Sequence, residues 1–352
     1  MKVAVLAHDR FPIAAPFAGG LESFTWHLAR GLRERGIAVA LFAGPGSDPA
    51  LGAEELDFRP VQLSPRARDD VAMPPEGQVR ETVAYLQALR ALAGRDDIDV
   101  VHNNSLHYLP IALSRTLPQP VLTTLHCPQT PWLEPALELT PDASTVAVSR
   151  AVAGMWSHVT NARVVHNGVD LDSWRTGPGG GPLVWTGRLV PEKAPHLAAA
   201  IAHAAGRPLR IAGPISDPAY VEDCLAPLLD DDVSYVGHLG QAALQALVRA
   251  SAACLVTPAW DEPFGLVAAE AMASGTPVLG LARGGLVEIV CPPGGIVVPV
   301  GASEAETVAA AAEALDDVLA LERAGVRRHA EQHCSLAVTI DRYVALFEEL
   351  AR

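Results

Sequence analysis

The chain has 352 residues, 49% of them apolar, enough for two domains of ordinary size with sizeable cores. Its formal net charge is −14: residues 1–165 carry 14 basic and 17 acidic side chains, and residues 166–352 carry 12 and 23. That balance argues against nucleic acid and anionic lipid as partners, and no apolar run approaches the roughly 20 residues that span a bilayer.

In chain order, KVAVLA (2–7) is a short apolar run that predicts a buried first strand. The loop HDRFPIAAPFAGG ends in Gly19-Gly20. Residues 21–35 then read as an amphipathic helix with Leu21, Phe24, Leu28 and Leu32 on one face. Gly36 stops it, and residues 37–43 form the next strand. Strand, loop, helix and strand in that order are the unit of a parallel sheet with right-handed crossovers. Residues 81–93 read as helical, and Val100-Val101 lead a strand into His102-Asn103-Asn104. A strand at 121–125 ends at His126, and 146–148 and 164–165 mark two more. The texture changes at Asn167-Gly168-Val169-Asp170, where LDSWRTGPGGGP has no apolar periodicity. This predicts a linker at 168–182 between an N-terminal domain, 1–167, and a second domain, 183–335.

From Leu183 the alternation restarts. Strands are expected at 183–187, 209–213, 233–237, 253–257 and 277–280 and near 287–298. Helices are expected at 195–205, 219–229, 241–251, 266–273 and 304–320. Residues 336–352 hold a last amphipathic helix. The fold class is thus α/β, with two parallel sheets. Open parallel sheets bind ligands at the carboxyl ends of their strands, and the motifs below fall at such ends. The stretch MKVAVLAHDRF is too short in its apolar part for a signal peptide, and Cys127, Cys224, Cys254, Cys291 and Cys334 show no C-x-x-C spacing. Both features predict a cytoplasmic protein.

The densest motif runs from Thr257 to Glu288: TPAWDEPFGLVAAEAMASGTPVLGLARGGLVE. Glu262 stands just before a helix N-terminus, Glu270 two turns in, and Gly275 with Thr276-Pro277 ends the helix. Free amides and a partial positive charge at such an N-terminus suit a phosphate, and an acid just outside it can accept hydrogen bonds from hydroxyls. Arg188 and Lys193 share the loop TGRLVPEK after the first strand of the second domain. Two cations there suit a diphosphate, although solvated loops commonly carry such residues too. Lysine occurs only at 2 and 193, against 24 arginines, which draws attention to Lys193. Gly19-Gly20, with Glu22 following, could let amides approach an anion or could be a plain tight turn. The dinucleotide fingerprint G-x-G-x-x-G is absent at that point, and no nucleophile elbow G-x-S-x-G occurs. His126, His102, Asn103 and Asn104 sit at strand ends, where packing roles compete with ligand roles. Arg59, Arg66 and Arg68 mark a local basic patch that reads best as a solvated loop.

The paired glutamates around Pro263-Phe264-Gly265, followed by Gly284-Gly285 and Glu288, resemble the donor-site signature of retaining GT-B glycosyltransferases of family 4. Gly19-Gly20-Leu21-Glu22, Gly187-Arg188 with Glu192-Lys193, and the histidine of TTLHCP are similar to that family's other motifs. The resemblance implies two facing Rossmann-like domains, with the acceptor side on the first and the nucleotide-sugar donor side on the second. It also implies a C-terminal helix that crosses back to the first domain. The implied activity is retaining transfer of a hexose-type sugar from a nucleoside diphosphate, UDP ahead of GDP, to an acceptor hydroxyl. Arg188 and Lys193 would stabilise the leaving diphosphate. Glu262 and His126 would touch the sugar, and Glu270 the ribose. Gly19, Gly20, Phe264, Gly265, Leu266 and Val267 would line the donor. No cofactor and no metal would be required. The acceptor would be a small molecule or a growing glycan. Two other readings stay open: a glycoside-processing hydrolase using Glu262 and Glu270, and a non-catalytic sugar-nucleotide binding module.

Overall fold

The computed structural model describes residues 1–52, 54–55 and 62–352; Arg59 lies outside the described residues. The chain divides into two compact units: residues 1–148, 152–165 and 340–352 form the first, and residues 149–151 and 166–339 the second. Each holds one parallel sheet.

In the first unit the strands are β1 (Lys2–Leu6), β2 (Ala38–Ala43), β3 (Glu54–Glu55), β4 (Val100–Asn103), β5 (Val121–Leu125), β6 (Ser144–Ala147) and β7 (Arg163–Val164). Their order is β3-β2-β1-β4-β5-β6-β7, and every pair is parallel. The order reverses beside β1, which opens a crevice outside its carboxyl end. Strand β1 is buried from Val3 to Leu6, as a near-continuous apolar run requires when both faces are covered. The helix Gly20–Glu34 buries Phe24, Leu28 and Leu32 on one face. Residues 340–352 complete this unit: Tyr343 and Phe347 of the last helix are fully buried in it, and Tyr343 Oη lies 3.0 Å from Thr124 Oγ1.

In the second unit the strands are β8 (Leu183–Thr186), β9 (Leu209–Ala212), β10 (Val233–Tyr235), β11 (Cys254–Val256), β12 (Val278–Leu281) and β13 (Gly295–Val298). Their order is β10-β9-β8-β11-β12-β13, again parallel throughout. Its core joins Leu183, Trp185, Ile201, Ile211 and Leu255 to Leu315 and Val318 of the helix Glu304–Leu319. The two places where the chain leaves this unit run side by side. Val169 N–H donates to Cys334 O at 2.9 Å, Leu336 N–H to Val169 O at 3.1 Å, and Thr339 Oγ1 to His166 O at 2.9 Å.

Two expectations are corrected. The helix expected at 219–229 is broken into a turn at 218–220, a wide turn at 221–225 and a tight one at 226–228. Pro227 lacks an N–H and crowds the carbonyl four residues before it, so an α-helix cannot run through. Near 287–298, residues Leu286–Ile289 are helical and only Gly295–Val298 is a strand. A helix at Arg323–His333, which the sequence reading did not anticipate, follows the helix Glu304–Leu319.

Candidate functional site

In the second unit the loop after β8 is laced to the loop after β11. Trp185 Nε1 donates to Thr257 Oγ1 at 3.1 Å, Thr257 Oγ1 donates to Ala194 O at 3.0 Å, and Ala259 N–H donates to Glu192 O at 2.9 Å. Within this lacing Ala194 takes a left-handed conformation, φ 46° and ψ 55°, the only non-glycine residue to do so among the described residues. Such a conformation costs an L-residue roughly 1–2 kcal/mol. It turns the chain sharply between Lys193 and Pro195, the first residue of the helix Pro195–Ala204.

That turn sets Lys193 against Glu262. Lys193 Nζ lies 2.6 Å from Glu262 Oε2, and Trp260 Nε1 donates to the same oxygen at 3.3 Å. The ammonium also lies 5.1 Å from the centre of the Trp260 ring, within cation–π range. Arg188 does not join this group among the described residues: its Nη2 pairs with Glu192 Oε1 at 3.1 Å, with both side chains well exposed.

The backbone around Glu262 is held by glycines. Gly265, at φ 97°, precedes the helix Leu266–Ala273, and a Cβ there would stand 2.8 Å from Leu286 Cδ1. Gly284, at φ 56°, passes so close that a Cβ would lie 2.3 Å from Glu262 O, and Gly285 N–H donates to that carbonyl at 2.6 Å. The amides of Phe264, Gly265, Leu266 and Val267 have no partner among the described residues, as expected at a helix start without a side-chain cap. They form a ready site for an anion.

Glu270, further along the helix, accepts no hydrogen bond from the described side chains or amides. The residue is only partly covered, yet the protein packed around its carboxyl pushes its pKa up to about 8. Glu288 has a structural partnership that sequence reasoning missed. Its carboxylate accepts Arg150 N–H at 2.9 Å and Ala151 N–H at 2.7 Å, and His166 Nε2 lies 2.8 Å away. Only its place in the Gly284-Gly285-x-x-Glu288 run hinted at a role.

Gly19, Gly20 and His126 belong to the first unit. Gly20 opens the helix Gly20–Glu34, and a Cβ on Gly19 would stand 3.1 Å from Glu22 Oε2. The buried Glu22 carboxylate therefore lies against the positive end of its own helix. His126 sits at the end of β5 in a chain of hydrogen bonds that fixes its proton. Thr25 Oγ1 donates to Leu21 O at 2.7 Å, and Asn104 Nδ2 donates to Thr25 Oγ1 at 2.7 Å. Asn104 Oδ1 must then accept, so His126 Nε2, 2.6 Å away, carries the hydrogen. Nδ1 is left as an acceptor, and burial holds the ring neutral by lowering its pKa to about 3. His102 is instead a core residue. It is fully buried, 2.8 Å from Thr124 Oγ1, and packed against Tyr343 and Phe347. Asn103 bonds Thr123 and Ser105 beneath the sheet's end.

Residues 18–173 match the family described as Glycosyltransferase Family 4, and residues 182–332 match Glycosyl transferases group 1. A D-inositol 3-phosphate glycosyltransferase of Mycolicibacterium paratuberculosis is 31% identical, over 81% of this chain and 75% of the relative. The enzyme of that name from Mycobacteroides abscessus is 27% identical, over 95% and 85%. AviGT4, a glycosyltransferase involved in avilamycin A biosynthesis, superposes with a TM-score of 0.72 at 26% identity, over 99% of this chain and 98% of that one. HepE of Anabaena, solved in complex with UDP-glucose, shares the fold with a TM-score of 0.74 at 20% identity, over 99% and 100%. With two Rossmann-like α/β units and both halves of the chain matched, the protein belongs to family 4 of the GT-B glycosyltransferases.

Proposed function

We propose that this glycosyltransferase moves a hexose-type sugar from a UDP-sugar to an acceptor hydroxyl, with retention at the anomeric carbon and without a metal ion. The observation that carries the reading is the Lys193–Glu262 pair beside four amides, unpartnered among the described residues, at the start of the helix Leu266–Ala273. A diphosphate brought to those amides offers Lys193 a doubly charged partner in place of one carboxylate. Glu262 is then released to accept hydrogen bonds from the hydroxyls of the sugar. Arg188, held among the described residues by an exposed pair with Glu192, can swing to the same diphosphate. Negative charge on the leaving group grows as the glycosidic bond breaks, and fixed cations and amides stabilise it in place of a metal.

Glu270, with no donor among the described residues, suits the ribose hydroxyls, and His126 Nδ1 suits a sugar hydroxyl as an acceptor. Gly19 and Gly20 are assigned to the diphosphate through their amides. Support for UDP comes from HepE, solved with UDP-glucose, and from a pneumococcal O-GlcNAc transferase solved with UDP and GlcNAc. Retention follows if the departing phosphate guides the acceptor hydroxyl to the face it leaves. The decisive experiment is a thermal-shift comparison of UDP and GDP, followed by proton NMR of the product formed in the presence of chelator. UDP-dependent stabilisation and a retained anomeric coupling are expected. A GDP preference, an inverted product or a need for added magnesium or manganese would each overturn the matching part.

A further inference from the structure

Three polar side chains beyond the carboxyl ends of β1 and β4, and one on the helix Glu76–Ala93, are left with unmet hydrogen-bonding capacity among the described residues of the first unit. Arg10 N–H donates to His8 Nδ1 at 3.1 Å, and Leu109 N–H donates to His107 Nδ1 at 3.1 Å. Each ring nitrogen that accepts an amide cannot carry the hydrogen, so in both residues Nε2–H is the donor. Both residues are more than nine-tenths buried, at 6% and 5% exposure, and neither Nε2 has a partner among the described residues or is sealed from the surface. His107 is locked in place, stacked between Tyr85 at 4.2 Å and Tyr108 at 4.7 Å, with Tyr85 Oη donating to Ala7 O at 2.9 Å.

Asp9 stands beside His8, its Oδ1 3.4 Å from His8 Nδ1. Because that nitrogen already accepts from Arg10, the contact is no hydrogen bond, and Asp9 Oδ1 is buried without a donor. Glu81, from the helix Glu76–Ala93, likewise receives no donor from the described residues. Burial, with the charge of Asp9 second, raises its pKa. The same neighbours act on one another throughout: Asp9 and His8 on His107, and His8 on His126. Arg10, which is exposed, is the arginine whose charge acts on Glu81 and Tyr85 among the described residues.

We propose that His8, Asp9, Glu81 and His107 form the acceptor subsite, and that it selects an uncharged or ammonium-bearing polyol over a phosphorylated one. This rests on the glycosyltransferase reading above and names the acceptor class for it. Two fixed donors and two carboxylates lacking donors complement vicinal hydroxyls, each of which both gives and takes a hydrogen bond. An ammonium group supplies the donors the carboxylates lack. A phosphate offers no donor when ionised and meets two carboxylates with one exposed arginine nearby. The relatives named as D-inositol 3-phosphate glycosyltransferases are thus expected to differ from this chain in these side chains' surroundings.

The test uses the full chain saturated with UDP and three probes: D-glucose, D-glucosamine and D-glucose 6-phosphate, ranked by ligand-observed NMR. Glucosamine and glucose should bind at least about tenfold more tightly than the phosphate. Asp9→Asn with Glu81→Gln should bring glucosamine down to glucose and narrow the gap to the phosphate. Glu81→Gln alone, at a partly exposed helical position, should do so in part and guards against misfolding of the double variant. Equal or tighter binding of the phosphate, binding of none of the probes, or an unchanged ranking in a folded variant overturns the proposal. UDP affinity and UDP-glucose turnover, read in the same samples, report separately on the donor reading. Their failure with the ranking intact would sink that reading alone.

Discussion

Residue by residue, the site is a set of competitions for charge. Lys193 and Glu262 are each other's partner at 2.6 Å, so their roles can be separated only by replacing one at a time. Lys193→Ala is expected to weaken binding of free UDP and to lower kcat by roughly 10²–10³-fold, as for loss of one electrostatic donor to a transition state. Glu262→Gln frees the ammonium from a partly exposed ion pair worth about 1 kcal/mol, so free UDP should bind up to about fivefold tighter while turnover falls. A calorimetric titration of both variants with UDP reads the contrast; weaker binding in both would refute the division of labour. Glu270 gives a pH signature. With its pKa raised to about 8, its carboxyl is mostly protonated at pH 7 in the free protein. Ribose hydroxyls that donate to the ionised form lower that pKa, so UDP binding at pH 7 should release protons and tighten as pH rises toward 8. Calorimetry in buffers of different ionisation enthalpy measures the release, and Glu270→Gln should abolish it. For stability the sign is opposite to that of a salt-bridged acid. The folded state holds a proton that the unfolded chain loses near the ordinary glutamate value, about 4.3, so this group's contribution falls as pH climbs from there to about 8. Thermal melts across that window should therefore fall less steeply in Glu270→Gln than in the parent.

The elements show where the sequence was legible and where it was not. Short apolar runs ending in Gly, His or Asn announced the strands, because a strand buried on both faces leaves few polar positions. Arg188, Lys193, Glu262 and Glu270 stood out because they follow strands or open a helix, and a chain's own order records that. Pairings across the fold left no such mark. Nothing in TGRLVPEK says that Arg188 turns to Glu192 while Lys193 reaches Glu262, since that depends on Ala194 being held left-handed by Thr257 and Trp185. The break at Pro227 was readable from proline chemistry, but the strand–helix alternation around 219–229 masked it. The glycines of Gly284-Gly285 showed only as a motif, whereas the structure supplies the reason. Gly284→Ala would force a Cβ within 2.3 Å of Glu262 O at a left-handed residue, so it should cost about 1–3 kcal/mol and displace Glu262. Its UDP-sugar turnover should drop further than its melting temperature suggests; a variant with full turnover would remove the loop's positioning role.

Across the whole molecule, one side chain ties the glycine-rich segment before β8 to three other stretches of the second unit. The Arg323 guanidinium donates to Gly177 O at 3.2 Å, Ser251 O at 3.0 Å, Arg249 O at 2.9 Å, Ser274 O at 3.2 Å and Thr276 Oγ1 at 3.0 Å. Gly179 makes room for it, since a Cβ there would stand 2.6 Å from Nη1. A lysine cannot span these acceptors, because an ammonium lacks the planar fork. Arg323→Ala should destabilise the second unit by about 2–4 kcal/mol, with Arg323→Lys intermediate, read as guanidinium unfolding of the full chain. An unchanged midpoint in Arg323→Ala would show that these carbonyls are satisfied without it. No helix among the described residues is long and apolar enough to cross a membrane. The order of residues within the units also bears on how the chain matures at the ribosome. The first unit begins the chain, yet it lacks Tyr343 and Phe347 until residues 340–352 have been made, so Thr124 waits without its tyrosine partner while the second unit, residues 166–339, is already complete. The half synthesised second is thus free to fold first. During that interval the half synthesised first exposes the apolar surface that Tyr343 and Phe347 later cover, so aggregation is expected to compete with folding there.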